Sequence, residues 1–331
     1  MKHKKKLFRM LVNVILSLCI LIMSITQFGC IQPDESNGLQ YEVDKEGNTC
    51  TITGIGEYKG VDVVIPEKIG DFTVVAIGDA AFKDCSSIET VQLPETVVAI
   101  GEEAFLNCFS LTDINIPHGV KVIAREAFCS CVSLERIELP ANLQQIADGA
   151  FAGCVSLIEI DLPDKLTTLG SAVFFMCNSL IEVEWPSSLT NFGSSPFGNC
   201  SSLNNIYVDE RHPFLMSVEG VLFTKDNKYI AAYPSGKMDV QYIIPKGTQC
   251  IESLAFSYNN NLENIVVPDT VVFIYSAVIY NSANLKSISY EGAVEEWCSI
   301  SKNPDWDAGS ADYTIYCTDG EISKDGTVTY K

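Results

Sequence analysis

Six cysteines stand 23 residues apart, at Cys85, Cys108, Cys131, Cys154, Cys177 and Cys200. Thiols can ligate metals, pair as disulfides or attack as nucleophiles, so this column comes first. Metal sites in a single segment draw ligands only a few residues apart, and a step of 23 instead places one thiol per structural repeat, all facing one way. Adjacent strands lie about 4.8 Å apart, which would allow bonding by distance, but parallel Cβ vectors do not suit a disulfide. The column therefore reads as small buried hydrophobes. Cys50, Cys129, Cys250, Cys298 and Cys317 fall outside it, and a Cys298–Cys317 bridge is one pairing the spacing leaves open. Beyond the first residues the chain has two histidines, His118 and His212, and neither has a neighbouring Ser, Cys or His-Glu pattern of a hydrolase or metalloprotease. Gly54-Ile55-Gly56 lacks the third glycine of a dinucleotide loop, and Asp305, Asp307 and Asp312 miss the calcium-loop spacing. The expectation is no enzyme, no cofactor and no metal site.

The elements that carry these residues share the same step. Phenylalanines recur at Phe82, Phe105, Phe128, Phe151, Phe174 and Phe197, and prolines at Pro94, Pro117, Pro140, Pro163 and Pro186. Three residue types locked to one period predict a repeat solenoid, whose units touch only their neighbours and share one core. Within the unit Phe105–Ala127, Leu111, Ile114 and Ile116 form an apolar–x–x–apolar–x–apolar run closed by Pro117. The last two alternate as in a half-buried strand, and proline is tolerated where the ladder ends. Val120 and Ile123 follow, then a small residue before the next Phe, which is large enough to fill the middle of the coil. A 23-residue unit is too short for a full return helix. The predicted fold is thus a parallel β-sheet on the concave face, with turns and short helical pieces on the convex face.

The consensus A-F-x-x-C-x-S-L-x-x-I-x-L-P-x-x-L-x-x-I resembles the treponemal-type leucine-rich repeat of BspA-like bacterial surface proteins. Clean copies occupy 81–208, after an N-terminal cap and degenerate first repeat over 40–80. Val218–Tyr233 resembles the hairpin inserted in that family, and the step from Asp209 to Pro245 is 36, so an insertion of 13 residues lies within 209–245. Repeats resume over 246–290 but degrade, with Asn259 and Ser282 at Cys positions and Ile279 at a Phe position. Residues 291–331, with Trp297, Trp306 and Tyr313, resemble the terminal cap that a solenoid needs over its last open layer.

Residues 1–29 are a different kind of segment: a basic head (Lys2, Lys4, Lys5, Lys6, Arg9) precedes the largely apolar run Met10–Phe28. This is the layout of a secretory signal. Gly29-Cys30 before the polar linker 30–39 resembles a lipoprotein cleavage site with Cys30 as the lipidated residue, although Gln27 and Phe28 depart from the pattern. An uncleaved anchor or ordinary cleavage are the alternatives, and each places the repeats outside the cytoplasmic membrane. The chain carries 22 basic and 42 acidic residues. Without the five basic residues of the head the balance is 17 to 42, a net −25. Such a charge opposes binding to nucleic acid or to anionic lipid.

Side chains between the buried strand positions must face outward, and there recognition can be written. Acids gather in the middle rungs, at Asp113, Glu135, Glu138, Glu159, Asp161, Glu182 and Glu184, with Ile158, Ile181 and Tyr207 beside them. Neighbouring carboxylates about 5 Å apart repel by only about 0.8 kcal/mol in water, so a solubilising face would tolerate them too. The functional expectation is a strip for a basic segment of a protein partner. The resemblance implies a membrane-anchored, cell-surface module that binds surface or host proteins, as in adhesion. An envelope scaffold is the alternative, and a carbohydrate-binding accessory is a weaker one, because these columns hold one aromatic ring, Tyr207.

Overall fold

The structure, a computed structural model, describes residues 36–331, which form one compact unit. It is a β-solenoid of mostly parallel sheet, as the period predicts. The leader, Cys30 and most of the polar linker lie outside the described residues.

Each turn of the coil is built by the same few bonds. The I-x-L segment before the proline forms a first ladder, in which Val63, Val91 and Ile114 pair in parallel register. The proline carbonyl then accepts from the residue three on, as in Val97 N to Pro94 O at 3.0 Å and Val120 N to Pro117 O at 3.0 Å, which turns the chain. The L-x-x-I segment forms a second ladder, aligning Ile77, Ile100, Ile123, Ile146, Leu169 and Phe192. A corner follows, with the Phe at its centre and a left-handed residue two places to either side, such as Glu103 and Asn107 around Phe105. Across the corner each Phe N–H from Phe82 to Phe174 bonds the carbonyl of the next rung, for example Phe105 N to Ala127 O at 2.8 Å.

The return side thus differs from the expectation in one respect. It carries a second two-residue ladder and turns, and the one helix among the described residues is Val294–Ser299 in the C-terminal segment. Two left-handed positions per corner cannot be part of a right-handed helical turn.

Inside the coil, Phe82 to Phe197 stack with centroids 5.2 to 5.6 Å apart and interplanar angles of 2° to 6°. The column cysteines are free thiols; from Cys108 onward they are buried and each donates to the carbonyl of an earlier Phe, as Cys131 Sγ to Phe105 O at 3.3 Å and Cys200 Sγ to Phe174 O at 3.0 Å, whereas Cys85 is half-buried and reaches Lys83 O. Ser282, at a Cys position, makes the same bond to Phe256 O at 2.7 Å. The column therefore selects a small residue with a donor, a finer requirement than small and apolar. Cys298 and Cys317 are free thiols as well, exposed and buried respectively, so the bridge left open by their spacing does not form.

Antiparallel strands close both ends. Gln40–Asp44 pairs with Thr49–Gly54 at the start, and Thr314–Tyr316, Gly320–Ser323 and Val328–Tyr330 form a meander at the finish. The Gly54-Ile55-Gly56 run is a turn of the first of these, where a Cβ on Gly56 would meet the Gly38 carbonyl at 2.2 Å. Within Val218–Tyr233 the strands Val221–Thr224 and Tyr229–Ala232 pair as an antiparallel hairpin, and a further strand, Leu215–Val218, extends it to a three-stranded meander. Its last strand pairs in parallel with Cys250–Ile251 and so serves as a second-ladder strand. The buried core falls into two blocks that meet here, one running from Leu39 to Leu222 and one from Val221 to Ile322.

Candidate functional site: the outward face of the first ladder

The period that buries Ile114, Ile137, Ile160 and Val183 forces the residues between them outward. Asp113, Glu135, Glu138, Asp161, Glu182 and Glu184 are exposed, Glu159 and Ile158 are half-buried, and Ile181 and Tyr207 are exposed at 48% and 44%. Glu138, Asp161 and Glu184 take the same position in three successive repeats. The pairing of Glu182–Trp185 with Asn205–Val208 sets Glu184 directly beside Tyr207. The structure therefore brings the predicted residues onto one face.

The face is not purely acidic. Arg136 reaches Glu159 at 2.8 Å across one rung, an exposed pair of small energetic value that fixes one carboxylate. The first ladder also lapses in the acidic rungs. Strand pairing links Asp62–Val64, Thr90–Gln92 and Asp113–Ile114, and resumes only with Glu182–Trp185 and Asn205–Val208. Between them the ladder is reduced to isolated bonds, Ile158 N to Glu135 O at 3.1 Å and Ile181 N to Ile158 O at 3.4 Å.

Beyond the insertion the same column changes character. Ile243, Val266, Ser289 and Tyr316 align in the second block, with Ile243 59% exposed and Tyr316 45% exposed. These positions escaped the sequence reading because the 13-residue insertion breaks the count. Adding it to the period, 36 residues from Tyr207, finds Ile243.

The other candidates take structural roles. His212 is fully buried, accepting at Nδ1 from Leu215 N at 2.9 Å and reaching Leu189 O at 2.8 Å through Nε2. Those partners fix the tautomer with the proton on Nε2, and the ring pins the insertion to the last regular repeat. His118 is exposed on a turn, and Asp307 accepts from the Tyr313 hydroxyl at 2.6 Å. Among the described residues no group of three His, Cys, Asp or Glu side chains is placed to hold a metal, and no helix is long and apolar enough to cross a membrane.

The repeat chemistry has a known counterpart. A profile of the BspA type leucine-rich repeat region matches in six copies, over residues 63–157, 121–225 and 236–300. The chain belongs to the BspA-type leucine-rich repeat family. Solved structures agree. A leucine-rich cell surface protein of Faecalibacterium prausnitzii superposes with a TM-score of 0.60 at 21% identity, over 84% of this chain and 98% of that one. The pneumococcal vaccine antigen PcpA gives 0.62 at 25% identity, over 81% and 83%. A leucine-rich repeat protein of Bacteroides ovatus gives 0.57 at 28% identity, over 80% and 71%. A search of curated proteins returns no match. BspA-type repeat proteins are typically found at the cell surface, and leucine-rich repeat folds generally bind proteins and are not enzymes.

Proposed function

We propose that this BspA-type solenoid is a membrane-tethered, cell-surface module that binds a protein partner through the outward face of its first ladder. The observation that supports the reading most is the exposed column Glu138, Asp161, Glu184 leading into Tyr207. A partner segment with basic residues followed by an apolar side chain matches that order, and Ile158 and Ile181 flank it. Opposite charge would speed encounter and select among partners, while Ile181 and Tyr207 supply apolar area. Adhesion to surface or host proteins is the role this family membership favours. Cys30, as a lipidated residue, is the proposed tether.

The test is capture by the full chain from panels of envelope and matrix proteins, compared with the triple reversal Glu138→Lys, Asp161→Lys, Glu184→Lys. The reversed chain should lose at least tenfold in affinity, and wild-type binding should weaken with salt. Undiminished binding by the reversed chain removes this face as the site. For the tether, fatty-acid labelling should mark the wild type and spare Cys30→Ala; an unlabelled wild type removes the lipid anchor.

A further inference from the structure

The two blocks meet imperfectly, and the defect has a definite origin. In a regular rung four residues separate the end of the second ladder from the core aromatic: Ile100 and Phe105 enclose 101–104, and Ile251 and Phe256 enclose 252–255. In the junction rung Ile230 pairs with Ile251, and Tyr233 N bonds Ala255 O at 2.7 Å, so Tyr233 stands in the Phe column. Only Ala231 and Ala232 lie between them. The corner is two residues short. Its left-handed positions are missing as well: Ala172 and Met176, Ser195 and Asn199, Leu254 and Tyr258 keep them in the flanking rungs, while this rung has none.

On the Cys side the junction is closed tightly. Gly236 takes the Cys position and donates to Leu203 O at 2.9 Å, and a Cβ there would meet Leu203 N at 2.4 Å. On the corner side the shortened rung leaves a cavity of about 520 Å³ between the Ser194–Pro196 and Ser253–Ala255 turns. That size is within the usual range for small-ligand pockets, about 300–1,000 Å³.

Its walls are chemically distinct. Trp185, Phe192 and Phe197 line it from the first block, with Trp185 edge-on to the other two rings at 5.1 and 6.1 Å. On the opposite wall Glu252 presents a half-buried carboxyl that no Lys or Arg pairs with among the described residues. Burial pushes that carboxyl above its usual range. In intact corners the carbonyl at the Ser253 position accepts from the preceding rung, as Ser194 O from Ala172 N at 3.0 Å and Ser276 O from Leu254 N at 3.2 Å. The missing residues remove that donor for Ser253. They likewise remove the acceptor for Ser195 N–H on the aromatic wall.

We propose that this junction cavity binds a small arylalkylamine. The ring would lie against Phe192, 42% exposed, with the buried Trp185 and Phe197 packed behind it, and the ammonium would donate to the Glu252 carboxylate and the Ser253 carbonyl. A hydroxyl on the ring could accept from the Ser195 N–H. The binding replaces groups that the absent two residues supply elsewhere, and it is independent of the acidic strip.

Tyramine is the direct probe, titrated calorimetrically into the full chain, with 4-ethylphenol (no ammonium) and methylammonium (no ring) as controls. One saturable site for tyramine is expected, with either control at least tenfold weaker. Glu252→Gln should weaken tyramine at least tenfold with circular dichroism unchanged. A second variant inserts Gly-Glu between Ile230 and Ala231, completing the corner; it should fold and lose binding. The Glu138, Asp161, Glu184 reversal should leave tyramine affinity as it is. The proposal is overturned by no tyramine binding at millimolar concentration, by equal binding of 4-ethylphenol, or by binding that survives in the completed-corner variant. If Glu252→Gln does not fold, the insertion variant and the two controls decide alone.

Discussion

In the first block, from Phe82 to Phe197, each corner has the same length and the same pair of left-handed positions, and from Phe82 to Phe174 each has the same Phe N–H bond to the next rung. At the junction a rung keeps its aromatic and its ladder pairing but drops two corner residues, and the stack opens. Below it the second block resumes with looser chemistry: Asn259 at a Cys position spreads its bonds over Pro234 O, Ser235 O and two backbone N–H groups, and Ile279 replaces a ring. The comparison teaches that a complete corner, more than the strands, makes two rungs fit without a void. Ladders of two residues and full corners recur on both sides of the junction, yet the 520 Å³ cavity opens at the rung whose corner is short.

The largest effect expected from breaking this comparison is in the regular stack. Phe151 is fully buried between Phe128 and Phe174, and Phe151→Ala should cost about 3–5 kcal/mol, because rigid rungs on either side cannot collapse into the space. Tyr233→Phe, beside the existing cavity, keeps the ring and loses a 2.7 Å bond from its hydroxyl to Asp239, so about 1 kcal/mol is expected. Chemical denaturation of both variants checks the ratio. A cost for Phe151→Ala no larger than that for Tyr233→Phe would show that the ring column does not carry the packing of the first block.

His212 comes next. Three backbone groups bond its ring, the N–H of Phe214 and Leu215 and the carbonyl of Leu189. His212→Ala leaves the buried Leu215 N–H without its acceptor, at about 1–3 kcal/mol, while the Leu189 carbonyl keeps the Trp185 indole N–H at 3.0 Å and the Phe214 N–H is only part-buried. Hydrogen exchange should quicken over 205–232 and stay slow over 100–160. Acceleration spread evenly along the chain would show that the insertion is not a separable weak point.

How much of this could be read from the sequence follows from the same contrast. The first block was legible because three residue types mark every repeat, and the outward strip followed from knowing which residues are buried. The second ladder was not, since Val122–Ile123 or Gln145–Ile146 is a strand of two residues whose pairing comes wholly from its neighbours. Nor was the shortened corner: Tyr233 and Gly236 replace the marker residues Phe and Cys, so the count loses its anchors where the geometry departs. The donor role of the thiols had one sequence trace, the serine at position 282.

That donor role gives a smaller, sharper test. Cys154→Ser should be tolerated within about 1 kcal/mol, since Ser282 already makes the bond, whereas Cys154→Val removes one of the two donors to the Phe128 carbonyl, leaving the Cys131 N–H at 3.3 Å, and crowds the rung, at about 1–3 kcal/mol. Burial pushes Cys108 and Cys200 up from 9.0 to about 12. Their folded values lie above the unfolded one, so the stability they contribute is complete below pH 9 and is lost as pH rises toward 12. Alkylation at pH 8 followed by peptide mapping should therefore mark Cys298 and spare the buried thiols Cys108, Cys131, Cys154, Cys177 and Cys200. Labelling of Cys154 in the native chain would show that the rungs open.

The smallest expected effect tests the corners themselves. Met176 and Gly153 occupy the same left-handed position in adjacent repeats, at φ 61° and 75°. A left-handed conformation costs a non-glycine residue about 1–2 kcal/mol, while glycine loses more chain entropy on folding, about 0.5–1 kcal/mol. The first quantity exceeds the second, so Met176→Gly should stabilise by about 0.5–1 kcal/mol, even though it exposes a little apolar surface. Gly153→Ala should destabilise by a similar amount, and its Cβ would also meet Ser130 Oγ at 3.2 Å. Opposite signs in thermal unfolding would establish that backbone conformation at the corner, rather than the side chain it carries, sets the fit between rungs; the same sign for both would return that role to side-chain packing.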